Sequence, residues 1–194
     1  MADAAAIVLA GGASRRMGRP KALLDWHGTP LVHHVASILA GVCAPVVVVA
    51  APGDVLPLPE GVERTEDAVE NRGPLEGVAA GMRALGGRAS AVFLAATDLP
   101  LLHPQVVSEL VAALPGYDAA VPVVAGRDQT LAAAYDARTL LRARQLLAAG
   151  RPRIAALLDG ARVARIHLSD TDAVRNANTP EEYERLLALS RPTR

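Results

Sequence analysis

The sequence predicts a single α/β domain, a Rossmann-like three-layer α/β/α sandwich around a mostly parallel sheet. Short apolar runs alternate with helical patterns, which requires crossover connections and therefore a parallel sheet with helices on both faces. The runs lack polar alternation, as strands covered on both faces do. Of the 194 residues, 51% are hydrophobic and 21% are charged, which is enough for one substantial core without a second domain.

Six strands are predicted from the apolar runs. Residues 46–49 are four consecutive valines, which is typical of a buried parallel strand. The run at 131–135 is predicted to be an edge strand. In chain order, the predicted strands are residues 5–10, 45–51, 90–96, 119–124, 131–135 and 163–168.

Five helices are predicted from helical spacing of apolar residues and from capping residues. Leu31 and Val35 share one face of the first helix, and Pro74 suits the first position of the second. Residues 53–61 are predicted to form an exposed loop. In chain order, the predicted helices are residues 30–39, 74–85, 105–114, 137–149 and 180–190.

A basic, glycine-rich loop follows the first predicted strand. Glycine lacks a Cβ, so backbone N–H groups in such a loop can approach phosphate oxygens closely. The glycines are Gly11, Gly12 and Gly18, and the cations are Arg15, Arg16, Arg19 and Lys21. So many like charges in one loop repel one another unless a polyanion faces them. The loop is therefore predicted to bind phosphate, with a solvated basic turn as the alternative, although it matches neither the Walker A nor the dinucleotide-binding pattern.

Two carboxylates are candidates for the same edge of the sheet. Asp98 follows the strand 90–96, and ligands of such sheets bind at the carboxyl ends of the strands. Asp98 can hold a hard cation such as Mg²⁺, which takes oxygen ligands, or can merely shape the turn before Pro100. Asp67 can serve that site, accept hydrogen bonds from a ribose, or lie in solvent. Removal of the Asp98 charge is expected to leave the stability of the unliganded protein unchanged or slightly raised.

Lys21, Arg15 and Arg16 are the candidate catalytic residues. A compact cation at the end of the loop suits the charge that builds on phosphoryl oxygens as a bond to pyrophosphate breaks. The two arginines add forked donors, and one of them can instead face water. The five histidines are scattered and form no recognisable nucleophile arrangement. Nucleotidyl transfer needs positioning and charge neutralisation rather than a protein nucleophile.

Two further segments have both structural and functional interpretations. Gly77 and Gly81 share one helix face and weaken that helix by roughly 2 kcal/mol relative to alanine, which indicates close approach by a base or a neighbouring strand. Thr179 begins a capping box before the last helix. Asn176 and Asn178 precede this cap and can offer amide groups to a ligand.

Four segments in chain order resemble the nucleotidyltransferases that activate sugars and cofactors, and most closely the molybdenum cofactor guanylyltransferases. The first carries the pattern Leu-Ala-Gly-Gly-x-Ser-x-Arg-Met-Gly-x-x-Lys. The segments are residues 9–21, 73–77, 97–100 and 176–180. The resemblance covers nearly the whole chain and implies one nucleotidyltransferase domain over residues 1–194, with the fold of the nucleotide-diphospho-sugar transferases.

The resemblance also implies roles for individual residues. It places Mg²⁺ at Asp98 and the acceptor substrate near Asn176 and Asn178. It implies nucleotide contacts at Leu9, Ala10, Gly11, Gly12, Lys21, Asp67, Leu75, Gly77 and Asp98.

The implied reaction transfers GMP from GTP to the phosphate of molybdopterin (the molybdenum cofactor) and releases pyrophosphate. Guanylyl enzymes of this family usually have an asparagine at the end of the second strand, where this chain has Val49-Ala50-Ala51. The Gly11-Gly12 pair favours GTP, so a CTP-dependent cytidylyltransferase or a sugar-phosphate nucleotidyltransferase is the alternative. A nucleotide-binding module without chemistry is the second alternative.

Net charge and hydropathy argue against nucleic acid and membranes as partners. The formal net charge is zero, so no global field attracts nucleic acid or an acidic membrane. The longest aliphatic run, residues 46–51, is far shorter than the roughly twenty residues that span a bilayer, and no signal-peptide pattern is present. The expectation is a cytoplasmic enzyme in transient contact with cofactor-handling proteins. A single cysteine, Cys43, excludes an internal disulfide.

Overall fold

The computed structural model describes residues 4–11, 20–67 and 73–190. The strands are β1 (Ala4–Leu9), β2 (Asp25–Trp26), β3 (Thr29–Pro30), β4 (Val46–Ala50), β5 (Glu63–Glu66), β6 (Ala91–Ala96), β7 (Ala119–Val124), β8 (Arg127–Asp128), β9 (Ala132–Asp136) and β10 (Val163–Ile166). The helices are α1 (Leu31–Ala40), α2 (Pro74–Leu85), α3 (Pro104–Ala112), α4 (Ala137–Leu141), α5 (Ala143–Ala148) and α6 (Pro180–Leu189). The predicted α/β class is confirmed.

The main sheet has the strand order β10-β7-β9-β6-β1-β4-β5, with β8 paired to β7. Strands β6, β1, β4 and β5 run parallel to their neighbours in that half of the sheet. Their carboxyl ends therefore lie together at one edge. Strands β2 and β3 form a separate antiparallel hairpin.

Strand β9 corrects the prediction that residues 131–135 form an edge strand. It lies between β6 and β7 and runs antiparallel to both. In this central position Ala133, Ala134 and Tyr135 are fully buried. The small alanine side chains allow helices to pack on both faces of the strand. The strands at the two edges are β10 and β5, and β5, which the apolar pattern missed, alternates half-buried and exposed polar residues.

Two hydrophobic clusters cover the two faces of the sheet. In β1, Ala6 and Val8 pack on the face that carries α1, α3 and α6, whereas Ala5 and Ile7 pack on the face that carries α2, α4 and α5. This two-sided burial explains why the central strands have no polar alternation.

The predicted helix 137–149 is divided. Helix α4 ends in a tightened turn in which the Arg142 N–H bonds to the Thr139 carbonyl at 3.2 Å, and α5 begins at Ala143. Within the parts of the chain that the structure describes, none of the helices has the length and apolar character needed to traverse a bilayer.

Candidate functional site

A cavity of about 580 Å³ opens where the parallel strands end. Its volume lies in the range of small-molecule sites. Strand ends, the first turn of α2 and the segment before α6 all contribute to it. The lining residues are Leu9, Ala10, Gly11, Lys21, Val49, Asp67, Gly73, Pro74, Gly77, Ala96, Thr97, Asp98, Leu131, Asn176 and Asn178.

The end of β6 is clamped to β1 immediately before Asp98. The backbone N–H and the hydroxyl of Thr97 both donate to the Leu9 carbonyl, at 3.1 and 2.7 Å. Thr97 is only 4% exposed, so a buried polar group is satisfied at this point. Asp98 therefore enters the cavity from a fixed backbone position.

A polar network joins three distant segments at the cavity wall. Lys21 Nζ donates to Asp98 Oδ2 at 2.7 Å and to Asn178 Oδ1 at 2.9 Å. Asn176 Nδ2 donates to the other carboxylate oxygen, Asp98 Oδ1, at 2.7 Å. The Ala177 N–H donates to the Asp98 carbonyl at 2.9 Å, which fixes the two backbones relative to each other.

The ion pair in this network is partly removed from water, whereas Asn178 is exposed. The side chain of Lys21 is 22% exposed and that of Asp98 is 13% exposed. Partial desolvation strengthens the attraction between the two charges but also costs hydration, which the hydrogen bonds with Asn176 and Asn178 partly offset. In this arrangement both Asp98 oxygens have partners, which revises the expectation that the carboxylate contributes nothing to unliganded stability.

Lys21 is also the only lysine in the chain, and arginine supplies the other positive side chains. Arginine presents a planar fork, whereas lysine presents a compact point charge. The geometry uses that compactness, since one ammonium bonds to both Asp98 and Asn178.

Helix α2 forms the apolar wall of the cavity. A Cβ built on Gly77 would lie 2.9 Å from Leu9 Cδ2, and one built on Gly81 would lie 2.8 Å from Ile7 Cγ2. Both glycines therefore allow α2 to pack closely on β1, as the structural interpretation predicted. Gly77 also lines the cavity.

The other predicted nucleotide contacts have different positions. Asp67 lines the cavity just after β5, and its N–H donates to the Ala50 carbonyl at 3.1 Å. Gly11 is its neighbour, since a Cβ on Gly11 would lie 3.7 Å from Asp67 Oδ2. The Leu75 side chain, in contrast, is fully buried in the core, so any contact of this residue with a nucleotide would use its backbone at the start of α2. Gly12, Arg15 and Arg16 lie outside the described residues.

Two apolar lining residues, Ala96 and Leu131, were not predicted, whereas Val49 lies in the segment where the related guanylyl enzymes usually have an asparagine. Ala96 is a strand-end residue, a position that does carry a signal in a parallel sheet. Leu131 has no such signal, because it reaches the cavity only through the antiparallel insertion of β9. The Ala96 N–H donates to the Leu131 carbonyl at 2.9 Å.

The described residues contain no group of three or more His, Cys, Asp or Glu side chains arranged to hold a metal. Asp98 and the Asn178 amide nevertheless provide oxygen donors at one wall. Mg²⁺ typically takes only one or two carboxylates from a protein and completes its shell with water and substrate phosphates. The donor chemistry at Asp98 therefore fits a metal shared with a nucleotide.

A cavity at the carboxyl ends of a parallel sheet, with a lysine and carboxylates in its wall, defines a nucleotide-binding α/β protein. Residues 6–166 match the model of the MobA-like NTP transferase domain. The chain belongs to the MobA-like NTP transferase family.

Curated relatives agree with this assignment. Proteins from Mycobacterium tuberculosis and Mycobacterium marinum, both named "Probable molybdenum cofactor guanylyltransferase", are 39% and 40% identical to this chain. Each match covers 90% of this chain and 89% of the relative.

Two solved structures share the fold. The molybdopterin-guanine dinucleotide biosynthesis protein A from Archaeoglobus fulgidus has a TM-score of 0.76 at 21% identity, over 95% of this chain and 97% of that one. The 2-C-methyl-D-erythritol 4-phosphate cytidylyltransferase from Thermus thermophilus has a TM-score of 0.70 at 21% identity, over 97% and 98%. At these identities the likeness is one of fold.

Proposed function

We propose that this protein is a molybdenum cofactor guanylyltransferase, which transfers GMP from GTP to the phosphate of molybdopterin and releases pyrophosphate. The names of relatives that are 39% and 40% identical support this activity. The observation that carries the proposal is the position of Lys21, whose Nζ bonds to Asp98 and Asn178 in the cavity wall. A fixed cation beside a carboxylate suits phosphoryl chemistry.

The reaction needs no protein nucleophile. An oxygen of the acceptor phosphate attacks the α-phosphorus of GTP, the bond from that phosphorus to the bridging oxygen of pyrophosphate breaks, and pyrophosphate leaves. Lys21 stabilises the negative charge on the phosphoryl oxygens as it develops. Asn176 and Asn178 orient Asp98 and Lys21 through their amides, and their unused amide atoms are available to the acceptor phosphate.

We also propose that Asp98 holds Mg²⁺ together with the nucleotide phosphates. The ion would neutralise phosphate charge and orient the phosphates. In that arrangement Asp98 would give an oxygen to the ion, and Lys21 beside it would bond to a phosphate oxygen. Asp67, which follows β5 at the same edge of the sheet, accepts hydrogen bonds from the nucleoside.

A pyrophosphate-release assay tests the proposal. The purified protein is incubated with Mg²⁺, a molybdopterin acceptor and GTP, CTP or ATP in turn, and the product is identified by mass spectrometry. The expected product is the acceptor plus GMP, and it should form only with GTP and Mg²⁺. Product from CTP alone would instead establish a cytidylyltransferase, and tight GTP binding without pyrophosphate release would establish a binding module.

The single lysine permits a test of the site that needs no turnover. Pyridoxal phosphate carries an aldehyde and a phosphate, its imine with an amine is trapped by borohydride, and Lys21 is the only lysine side chain available. We expect one labelled peptide, which contains Lys21 and is protected by excess GTP. Labelling confined to the α-amino group, with none at Lys21, would contradict the assignment.

A further inference from the structure

Behind the polar network lies a group of three rings from three different elements. Trp26 of β2, which is 3% exposed, contacts His34 of α1 and Tyr183 of α6 with ring centroids 5.9 Å away in each case. We refer to Trp26, His34 and Tyr183 as the Trp26 cluster. Rings packed in tilted and edge-to-face arrangements have few alternative positions, so the cluster is a rigid base.

The cluster bonds to the segments that carry the network. His34 Nε2 bonds to the Pro100 carbonyl at 2.9 Å, and Pro100 lies two residues after Asp98. The Tyr183 hydroxyl donates to the carbonyl of Asp25, which lies four residues after Lys21. Tyr183 also belongs to the helix that begins directly after Asn178 and Thr179.

The Pro100 carbonyl is bonded by a side chain, His34. In the turn that follows Asp98, the Leu102 N–H donates to the Leu99 carbonyl at 3.2 Å and not to Pro100. A carbonyl can only accept, so His34 Nε2 carries the hydrogen. Burial lowers the pKa of His34 and outweighs the hydrogen bond to Pro100, which raises it, so the ring that donates is neutral at neutral pH.

We propose that His34 is a positioning residue for nucleotidyl transfer. Its Nε2–H holds the Pro100 carbonyl and thereby sets the depth at which Asp98 enters the cavity toward Lys21 and Asn176. The clamp at Thr97 fixes the Asp98 segment from one side, and His34 fixes it from the other. The kinetic part of this inference rests on the proposed function; the structural part does not.

The test separates the hydrogen bond from the packing. His34→Gln places an amide N–H near the position of the imidazole Nε2, whereas His34→Asn is one carbon shorter and cannot reach the Pro100 carbonyl. Both variants are neutral and polar, and each loses the ring. A difference between them therefore reports the donor position rather than charge or ring packing. His33→Asn, on the same helix, is the matched control.

Two measurements are made on each variant. The first is pyrophosphate release, where His34→Asn should lower kcat by about tenfold with the KM for GTP within about twofold, because a misplaced catalytic group affects the transition state more than binding. His34→Gln should restore most of kcat, and His33→Asn should match the parent.

The second measurement is hydrogen exchange at the Ala177 amide, which donates to the Asp98 carbonyl. In His34→Asn this amide should exchange at least about five times faster, while amides of β1 and β4 remain unchanged. Equal kcat and equal exchange in the Gln and Asn variants would overturn the proposal. If the parent itself releases no pyrophosphate, the proposed function fails, and exchange at Ala177 alone decides the positioning role.

Discussion

Two walls of the cavity are held in place by different interactions, close packing in one and hydrogen bonds in the other. The wall from α2 depends on missing atoms, since Gly77 and Gly81 let the helix lie directly against Leu9 and Ile7. The other wall depends on hydrogen bonds between polar side chains. They join residues that are 77 to 157 positions apart in sequence, namely Lys21, Asp98, Asn176 and Asn178. The first wall sets the shape of the site and the second sets its charge.

The comparison indicates that changes to the two walls should have separable effects. A substitution in the polar wall removes exposed or partly exposed contacts, so it should alter catalysis much more than stability. A substitution at Gly81 adds volume to a packed core and should alter stability much more than chemistry, whereas one at Gly77, which borders the cavity, should alter binding more than stability. The predictions below test this division, from the largest expected effect to the smallest.

Lys21→Ala should have the largest effect. We expect kcat to fall by about two to three orders of magnitude, as for removal of one transition-state donor, with a stability change of about 1 kcal/mol or less. In Lys21→Arg kcat should fall almost as far, because the larger planar guanidinium cannot place its charge where the compact Nζ lies beside Asp98 and Asn178. Steady-state kinetics and a melting curve measure both effects. Parental kcat in Lys21→Arg would show that charge alone suffices.

Asp98→Asn should lower Mg²⁺-dependent turnover by about a hundredfold or more, since a neutral amide binds Mg²⁺ and orients Lys21 poorly. Stability should fall by about 1 kcal/mol, because the ion pair with Lys21 and the bond from Asn176 are both weakened. Kinetics across a Mg²⁺ titration, beside urea unfolding, check both numbers. Retained turnover would remove the metal role and leave Asp98 as a turn-forming residue.

Gly81→Ala should destabilise the protein without changing its chemistry. The added Cβ would lie 2.8 to 3.0 Å from three atoms of the buried Ile7 side chain, an overpacking that costs about 1–3 kcal/mol. The higher helix propensity of alanine offsets up to about 1 kcal/mol of this. Urea unfolding should therefore show a net loss, with kcat near the parental value. A stabilised variant would show that α2 can shift away from β1 freely.

Gly77→Ala should have the smallest effect and a different one. Its Cβ would meet Leu9 Cδ2 at 2.9 Å, the mobile end of a side chain that borders the cavity, so Leu9 can rotate instead of straining the core. We expect stability within about 1 kcal/mol of the parent and a KM for GTP raised by roughly threefold to tenfold, because the displaced side chain reduces the binding space. Comparison with Gly81→Ala in the same assays is the internal control. An unchanged KM would place the nucleotide away from this end of α2.

Much of the fold was predictable because its signals are local. The predicted bounds of α2 and β7 agree with the structure. For α2 the signals are Pro74, which begins the helix, and Gly86, which ends it in a left-handed conformation. The capping box at Thr179 and Glu182 is also confirmed. Strand β5 was missed because its polar residues give no apolar run, and the position of β9 was wrong because a local pattern does not determine strand order.

The site was predictable in its members more than in its contacts. The predicted roles differ from residue to residue. Lys21 is predicted to contact phosphate, Asp98 to hold a metal, and Asn176 and Asn178 to contact the acceptor substrate. The structure adds that these residues contact one another, and it places the Leu75 side chain in the core. The roles of these residues toward substrates stay predictions for the experiments above.

By itself, the sequence determined the α/β class, the glycine-rich basic loop after the first strand, and the placement of Asp98 at the same edge of the sheet. These follow from periodicity, strand ends and capping, which depend on neighbours along the chain. Only the tertiary structure decided that β9 runs antiparallel through the centre, that Gly77 and Gly81 face different neighbours, and that His34 holds the Pro100 carbonyl. Those facts depend on strand order and register, which bring together residues that no local pattern connects.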